Sequence, residues 1–341
     1  MRDGALVVDE VEELSPQPGQ VVAEVLACGI CGSDLHALHH ADQLVEMSIA
    51  MAADAGPFAP APMDASLDVV MGHEFSARVL AVGENVGNCA PGDVVVSLPI
   101  VMDAGGIHAV GYDNHYPGGY SQQLVLSDVL CTKVPNGLDP RLAALTEPMA
   151  VGLHAVNLSA VTTGHAAVVL GCGPVGLAVI AALRAMGVGT IVAGDFSPTR
   201  RELAARMGAT EVVDPRDESA VRAWRRVDGS RPLVIFEAVG NPGMIESAVL
   251  EAPRGAQILV VGVCMVADTF RPMIAVGKEL NLQFAFGYDP MEFVDTLGRI
   301  AEGTYDVEPM ITAEVPLDGV ADAFTALADP DAHAKILVIP N

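Results

Sequence analysis

Val168-Val-Leu-Gly-Cys-Gly-Pro-Val-Gly176 is the stretch on which the fold assignment depends. Its apolar start predicts a buried strand, and the residues after its second glycine begin a helical pattern. Between a strand and a helix, the first glycine permits a tight turn, the second a close approach of a ligand, and the third close helix packing. Such a loop binds a pyrophosphate on the amides of the helix N-terminus. The predicted dinucleotide contacts are Gly171, Gly173, Pro174, Val175 and Gly176.

Asp195 supports this prediction from the end of the next predicted strand, Thr190-Ile-Val-Ala. A carboxylate at this position accepts hydrogen bonds from both ribose hydroxyls and repels a 2′-phosphate. Arg200 and Arg201 are nearby cations that could instead accommodate NADP. The pattern therefore favours NAD, with NADP as the alternative.

The wider pattern indicates an α/β chain. From about residue 150, apolar strands alternate with helical stretches, which predicts a doubly wound parallel sheet covered on both faces. The first 150 residues indicate short strands joined by turns. Two further helical stretches and a last strand follow residue 288. We therefore expect a β-rich domain over 1–150, a nucleotide-binding domain over 151–287, and a return to the first domain over 288–341.

Composition excludes several classes of partner. The formal net charge of −25 and the pI near 4.5 predict repulsion of nucleic acid and anionic lipid. The most apolar stretch, 166–182, contains three glycines and a proline in a phosphate-loop pattern, so no membrane span is expected. The six cysteines lack the spacing of a secreted scaffold, and no secretory signal opens the chain, which favours a cytoplasmic protein.

A second segment, Cys28-Gly-Ile-Cys31-Gly-Ser33-Asp34-Leu-His36, concentrates reactive side chains. Taken alone, its Cys-x-x-Cys pair indicates a zinc knuckle, a redox dithiol or neither. Gly72-His73-Glu74 and Glu147-Pro148 offer further metal-ligating side chains elsewhere.

With these motifs in order, the chain resembles the zinc-dependent medium-chain alcohol dehydrogenases, especially the polyol, butanediol and threonine dehydrogenase-like branch. The resemblance covers nearly the whole chain. It is carried by six segments: Cys31–His36, Gly72–Glu74, Pro91–Asp93, Pro117–Tyr120, Glu147–Pro148 and Gly171–Gly176. It implies a GroES-like β-rich catalytic domain beside a Rossmann domain. It also implies hydride transfer between NAD and a small-molecule alcohol, which gives the ketone or aldehyde. A secondary alcohol or polyol is the favoured substrate class, and the apolar residues after Cys31 favour a bulkier apolar alcohol as the alternative.

The resemblance also implies a ligand set. Catalytic zinc takes three protein ligands and keeps one position open. Cys31 and His73 are carried over as ligands, and the third is Glu147 by motif, although Glu74 can also enter the shell. Asp34 is expected to orient His73. Cys28 falls outside the ligand motif and is interpreted as a buried thiol.

Three further expectations come from the family. Ser33 takes the substrate's hydroxyl proton and passes it towards His36 through the nicotinamide ribose. The nicotinamide lies against the backbone of Val261, Gly262 and Val263. The protein forms homodimers or homotetramers, with the region from Gln257 to Val263 as a candidate contact.

The chain departs from its relatives in two places. Many relatives hold a structural zinc with four cysteines, and between Asp93 and Tyr120 this chain has none, so we predict one zinc per subunit. The stretch between Cys31 and His73 is also longer than usual. Its additional residues, 41–66, form either a lid over the substrate or a surface excursion. They include Met47, Met51, Phe58 and Met63.

Two other functions remain compatible with the sequence. A zinc-independent quinone or enone reductase of the same fold would not need the ligand set. A non-catalytic nucleotide-binding protein would need neither the ligands nor the Ser33–His36 pair.

Overall fold

The computed structural model describes residues 1–55, 59–135 and 137–340, and it divides the chain into two compact units. The first unit comprises Met1–Glu147, Ile311–Ala328 and the residues from Lys335 onward. The second comprises Pro148–Met310 and Asp329–Ala334. Residues 288–310, which the sequence interpretation assigned to the first domain, group with the second unit.

The strands, in chain order, are β1 Gln20–Gly29, β2 Glu74–Val82, β3 Val94–Ser97, β4 Ile100–Asp103, β5 Gly106–Ala109, β6 Gln123–Ser127, β7 Cys131–Lys133, β8 Ala166–Leu170, β9 Thr190–Gly194, β10 Glu211–Val213, β11 Leu233–Glu237, β12 Gln257–Val260, β13 Asn281–Phe284, β14 Ile311–Val315 and β15 Lys335–Val338. The α-helices are α1 Gly32–His39, α2 Ala41–Ala55, α3 Pro140–Ala143, α4 Thr146–Leu158, α5 Pro174–Met186, α6 Pro198–Met207, α7 Ala220–Asp228, α8 Met244–Glu251, α9 Pro272–Lys278, α10 Pro290–Ala301 and α11 Val320–Leu327.

The second unit confirms the predicted parallel sheet. Its six strands lie in the order β10-β9-β8-β11-β12-β13, and every pair is parallel. The strands β8, β9 and β11 are apolar and almost wholly buried, as expected when helices cover both faces. Strand β12 is paired on both sides, so the free edge on that side of the sheet is β13. The predicted contact region at Gln257 therefore begins in an internal strand.

Helix α10 belongs to this unit because its first turn is bonded to α4. Glu292 accepts one hydrogen bond from Asn157 at 2.7 Å, and its other carboxylate oxygen lies 2.8 Å from Nδ1 of His154. The ring of Phe293 is buried and stacks on Tyr288, with ring centroids 5.6 Å apart. These contacts explain why 288–310 groups with the nucleotide-binding fold.

The first unit is built on a mainly antiparallel sheet in the order β14-β15-β1-β2-β3-β7, with β6 also paired to β1. The long strand β1 pairs with β2, β6 and β15. Because Gly29 pairs with Glu74, the end of β1 lies beside the start of β2. This register brings the segment after Gly29 next to His73.

The excursion forms a helix longer than the predicted one near 44–51. Helix α2 packs its Leu44 and Val45 against the same core cluster as the buried Met63, and Met47 is partly exposed. The side chain of Met51 and all of Phe58 lie outside the described residues, so the lid stays a prediction. In the described part of the chain, no helix combines the length and apolarity needed to cross a membrane.

Candidate active site

Three potential metal ligands meet where β1 ends and β2 begins. The ligand atoms of Cys31, His73 and Glu74 all lie within 4.8 Å of one another. Cys31 is the residue before helix α1, and Glu74 is the first residue of β2. A thiolate, an imidazole and a carboxylate are the donors that zinc takes in proteins, so this group fits a zinc ion.

Asp34 is a buried carboxylate that contacts two members of this group, Cys31 and His73. It is fully buried, and its carboxylate accepts hydrogen bonds from the N–H of Cys31 at 3.0 Å and from the hydroxyl of Tyr120 at 2.6 Å. Nδ1 of His73 lies 3.3 Å from Oδ1 of Asp34 and has no hydrogen-bond partner among the described residues. Burial alone would raise the pKa of Asp34, but the nearby imidazole and these hydrogen bonds lower it. The carboxylate is therefore ionised and faces the ring that it was expected to orient.

Glu74 has a cationic partner that the sequence interpretation did not assign. Lys335 donates to both of its carboxylate oxygens and to the carbonyl of Ile30. A Cβ at Gly29 would lie 2.0 Å from Oε2 of Glu74, so only a glycine lets the carboxylate pass over β1. Burial alone would lower the pKa of Lys335, but the adjacent carboxylate raises it, with smaller contributions from Cys31 and Glu147.

Glu147 and Cys28 are two further residues that the sequence motifs singled out. Glu147, the third ligand by motif, is half-buried in the first turn of α4 and lies outside the group of three. It is still close enough for its charge to raise the pKa of Lys335. Cys28 is fully buried against Phe75, and its burial raises the pKa of its thiol well above the ordinary range.

Ser33 and His36 lie one turn apart on α1. The Ser33 hydroxyl accepts a hydrogen bond from Tyr112 at 2.8 Å. His36 is half-buried, and its ring centroid lies 6.4 Å from that of His40. Burial, together with His40 and His39, lowers the pKa of His36.

The glycine loop adopts the predicted strand–loop–helix arrangement between β8 and α5. Gly171 has φ +89°, a conformation that favours glycine. A Cβ at Gly176 would lie 2.0 Å from the carbonyl oxygen of Gly171, so the third glycine is needed for close packing. Gly173 is the residue before α5, and the nearest atom to its hypothetical Cβ is a guanidinium nitrogen of Arg200 at 3.9 Å. Half-buried Pro174 and Val175 begin the helix. The loop thus leaves space above Gly173.

Asp195 follows β9 and is fixed by backbone amides. Its Oδ2 accepts from the N–H of Cys172 and its Oδ1 from that of Ser197, each at 2.8 Å. Arg201 is bonded to the carbonyls of Asp195 and Phe196, whereas Nε of Arg200 is buried without a hydrogen-bond partner. The carboxylate is thus held beside the glycine loop.

The segment from Val261 to Val263 lies at the end of β12. The amides of Val261 and Gly262 donate to the carbonyl of Glu237 at 2.8 and 2.9 Å. A Cβ at Gly262 would lie 2.3 Å from the amide nitrogen of Gly240, so this glycine allows two loops to touch. Val263 is 47% exposed, and a ligand can therefore reach this segment.

The lobe that contains no zinc-binding cysteines is fixed by a half-buried histidine, His108. Nδ1 of His108 lies 2.9 Å from Asp113, and its Nε2 lies 3.1 Å from Asp103. Tyr116 donates to the other oxygen of Asp103 at 2.7 Å, which is the largest cause that lowers the pKa of Asp103 to about 2. We refer to these three residues as the Asp103–His108–Asp113 clamp.

Sequence reasoning missed the roles of Tyr112, Lys335 and the clamp. Only Lys335 had a visible signal, because it is a charged residue that opens an otherwise apolar strand. Tyr112 and His108 belong to a segment with no periodicity and no motif.

Comparisons with known proteins agree with this geometry. Residues 17–136 match the family description "Alcohol dehydrogenase GroES-like domain", and residues 174–302 match "Zinc-binding dehydrogenase". The (R,R)-butanediol dehydrogenase of Bacillus subtilis is 33% identical over 98% of this chain and 96% of its own length. The sorbitol dehydrogenase of the same organism is 30% identical over 94% of this chain and 90% of its own.

A solved structure is also similar to this chain. The crystal structure of 2R,3R-butanediol dehydrogenase from Bacillus subtilis matches with a TM-score of 0.84 and 32% identity, over 99% of this chain and 97% of that one. The donor set of zinc type lies in the first unit, and the glycine loop lies in the second. The matches extend over both units. The chain therefore belongs to the zinc-dependent medium-chain alcohol dehydrogenases, oxidoreductases that act on alcohols with NAD or NADP.

Proposed function

We propose that this enzyme oxidises secondary alcohols, with vicinal diols and polyols as its preferred class, and uses NAD as the acceptor. The butanediol and sorbitol dehydrogenases similar to it act, by their names, on such compounds. The observation that carries the proposal is the meeting of Cys31, His73 and Glu74 above the buried carboxylate of Asp34.

In this proposal Cys31, His73 and Glu74 hold the zinc. A bound zinc would supply a Lewis acid that polarises a hydroxyl of the substrate. Glu74 keeps free lone pairs although Lys335 is bonded to both of its oxygens, since an ionised carboxylate has about four acceptor sites. Glu147 is the alternative third ligand, because it lies close enough to Lys335 to raise the pKa of that residue.

The proton of the alcohol is proposed to leave through Ser33 and His36. Ser33 lies in the first turn of α1, two residues after the ligand Cys31, so the helix that follows the metal site carries its hydroxyl. The lowered pKa of His36 favours its neutral form, which can accept a proton at neutral pH. Water then receives the proton.

Asp195 supports NAD over NADP. Its carboxylate is fixed by two backbone amides and keeps lone pairs for the two ribose hydroxyls, whereas a 2′-phosphate would meet a like charge. The unpaired Nε of Arg200 is the feature that favours residual use of NADP.

A homo-oligomer formed through strand β13 completes the proposal. This strand is at the edge of the six-stranded sheet. Phe284, its last residue, is 62% exposed, and Phe286, two residues further on, is 75% exposed. An unpaired edge with exposed aromatic rings is suited to strand addition. Light scattering should give a dimer or larger species, and Phe286→Asp should lower the mass; a monomeric wild-type protein would reject this contact.

A substrate screen tests the proposal. The purified enzyme would be assayed for NAD reduction on vicinal diols, linear polyols, simple secondary alcohols, primary alcohols and bulky apolar alcohols. The kcat/KM should be highest for diols or polyols, and it should vanish after zinc is chelated and return when zinc is restored. Turnover of quinones or enones that resists the chelator would favour the zinc-free reductase instead.

A further inference from the structure

The geometry points to Tyr112 as a positioning residue that fixes the hydroxyl of Ser33 for proton transfer. The inference rests on the proposed role of Ser33 in the reaction. Tyr112 lies 79 positions after Ser33, in the loop that follows β5.

Tyr112 touches three parts of the candidate site at once. Its hydroxyl donates to Oγ of Ser33 at 2.8 Å and lies 3.3 Å from Oδ1 of Asp34. Its ring centroid lies 5.3 Å from that of His73, with the planes tilted by 37°. The shorter of the two hydroxyl contacts is the one to Ser33, and a phenol has a single hydrogen to donate. Tyr112 therefore acts mainly on the serine.

The hydrogen bond determines what remains available on Ser33. A serine hydroxyl has one hydrogen and two acceptor sites. With one acceptor site filled by Tyr112, one acceptor site and the hydrogen remain. These are the two functions that a proton relay needs, since it receives one proton and donates another. Without Tyr112 the hydroxyl can rotate among its staggered positions, and most of them misdirect the proton.

The loop that carries Tyr112 is itself held firmly. Gly111 has φ +87°, and a Cβ on it would lie 3.0 Å from the carbonyl oxygen of Gly72, beside the ligand His73. On the other side, Asp113 belongs to the Asp103–His108–Asp113 clamp and also accepts from the amides of His115 and Tyr116. The phenol is thus positioned by rigid neighbours on both flanks, as a positioning residue requires.

A double-mutant cycle on the zinc-loaded enzyme tests the inference. Tyr112→Phe keeps the ring on His73 and removes only the hydroxyl. It should lower kcat for the preferred alcohol by about 3- to 10-fold, the range expected for one lost hydrogen bond, with KM and zinc content unchanged. Ser33→Ala should lower kcat by about 100-fold or more. In the Ser33→Ala background, Tyr112→Phe should have no further effect on kcat.

Tyr120→Phe is the matched control. Its hydroxyl donates to the same carboxylate, Asp34, at 2.6 Å and lies 3.4 Å from the carbonyl oxygen of Gly29, so among the described residues its hydrogen-bond partners do not include Ser33. This variant should weaken zinc retention. It should change the turnover per bound zinc by the same factor in the Ser33→Ala background as in the wild-type background.

The outcomes separate the two proposals. If Ser33→Ala keeps near-normal turnover, the proton relay itself is wrong. If Ser33→Ala is impaired but Tyr112→Phe is not, or if the two substitutions act additively on kcat, the role of Tyr112 is overturned. A loss of zinc from Tyr112→Phe that accounts for all its lost activity would also overturn it.

Discussion

Lys335 is bonded to both carboxylate oxygens of Glu74, with Nζ 2.8 Å from Oε1 and 2.7 Å from Oε2. Neither side chain is more than 1% exposed. The pair joins the last strand of the first unit to the residue beside His73, a potential metal ligand. A buried ion pair contributes little net stability against an apolar replacement, but loss of one partner leaves an unpaired buried charge.

Lys335→Met should therefore lower the free energy of unfolding by about 3–5 kcal/mol, because it leaves the Glu74 carboxylate buried and unpaired. Urea denaturation of the zinc-free protein measures this directly. The double variant Lys335→Met/Glu74→Gln is the control, since it removes both charges and should recover most of the loss. Equal destabilisation of the single and double variants would contradict the pairing.

Glu74 and Glu147 should differ as zinc ligands. Loss of a residue that only supports a ligand lowers zinc affinity by roughly 10- to 100-fold. We expect Glu74→Gln to lower it by more than this, and Glu147→Gln by less. Competition with a chromophoric chelator gives both affinities. Since Glu74→Gln also disturbs Lys335, the same measurement on Lys335→Met separates the lost ligand from the lost ion pair. A larger effect of Glu147→Gln would assign the third ligand to Glu147.

Cys28 and Cys31 should behave in opposite ways although they are three residues apart. Cys28 is fully buried with a raised thiol pKa, so Cys28→Ala should keep one zinc per subunit and most of the activity. Cys31→Ala should lose both. Elemental analysis of the purified variants decides this, and two zinc equivalents in the wild-type protein would reject the prediction of a single metal site.

The clamp should make stability depend on pH. Burial alone would lower the pKa of His108, but the bonded Asp113 and Asp103 raise it, with Tyr116 and His115 as the other nearby titratable groups. A raised folded-state pKa means that the contribution is complete below the ordinary histidine pKa of about 6.5 and is lost as pH rises through the folded value.

The difference in unfolding free energy between the wild type and His108→Gln should thus be largest in mild acid and shrink towards alkaline pH. Denaturation series across this pH interval provide the measurement. His165→Gln is the control, because His165 is bonded to the hydroxyl of Thr162 rather than to carboxylates. A difference that stays constant with pH would show that His108 contributes through packing alone.

Asp195→Ser should shift coenzyme preference. The loss of two charge-assisted hydrogen bonds should lower kcat/KM for NAD by about 10-fold or more, and the loss of the negative charge should raise it for NADP. Asp217→Ser removes one exposed charge elsewhere in the same unit and should leave the ratio unchanged. An unchanged ratio in Asp195→Ser would remove this residue from coenzyme selection.

Local pattern was enough to predict the nucleotide-binding fold. Helix α5 begins at Pro174, directly after the second glycine, as the sequence pattern indicated, because an apolar helix on a buried sheet satisfies propensity and packing together. Strand β13 and helix α9 were missed, since their residues are largely exposed and show little alternation.

The candidate site was only partly predictable for a different reason. The family motif predicted Cys31 and His73, because each belongs to a short segment of motif residues. Tyr112 and Lys335 lie 79 and 261 positions from the residues to which they bond, and no local pattern records such a pairing. Their roles depend on register and on which loop passes over which strand.

The place of β15 also constrains the order of events during synthesis. This strand pairs with β1 near the start of the chain, and its Lys335 is bonded to Glu74. A ribosome must translate past residue 335 before either contact can form, and by then all residues of the second unit have been made. Until that moment the carboxylate of Glu74 lacks its bonds to Lys335. We therefore expect the nucleotide-binding unit to fold on the growing chain, and the candidate metal site to reach its final form only after residue 335 has been translated.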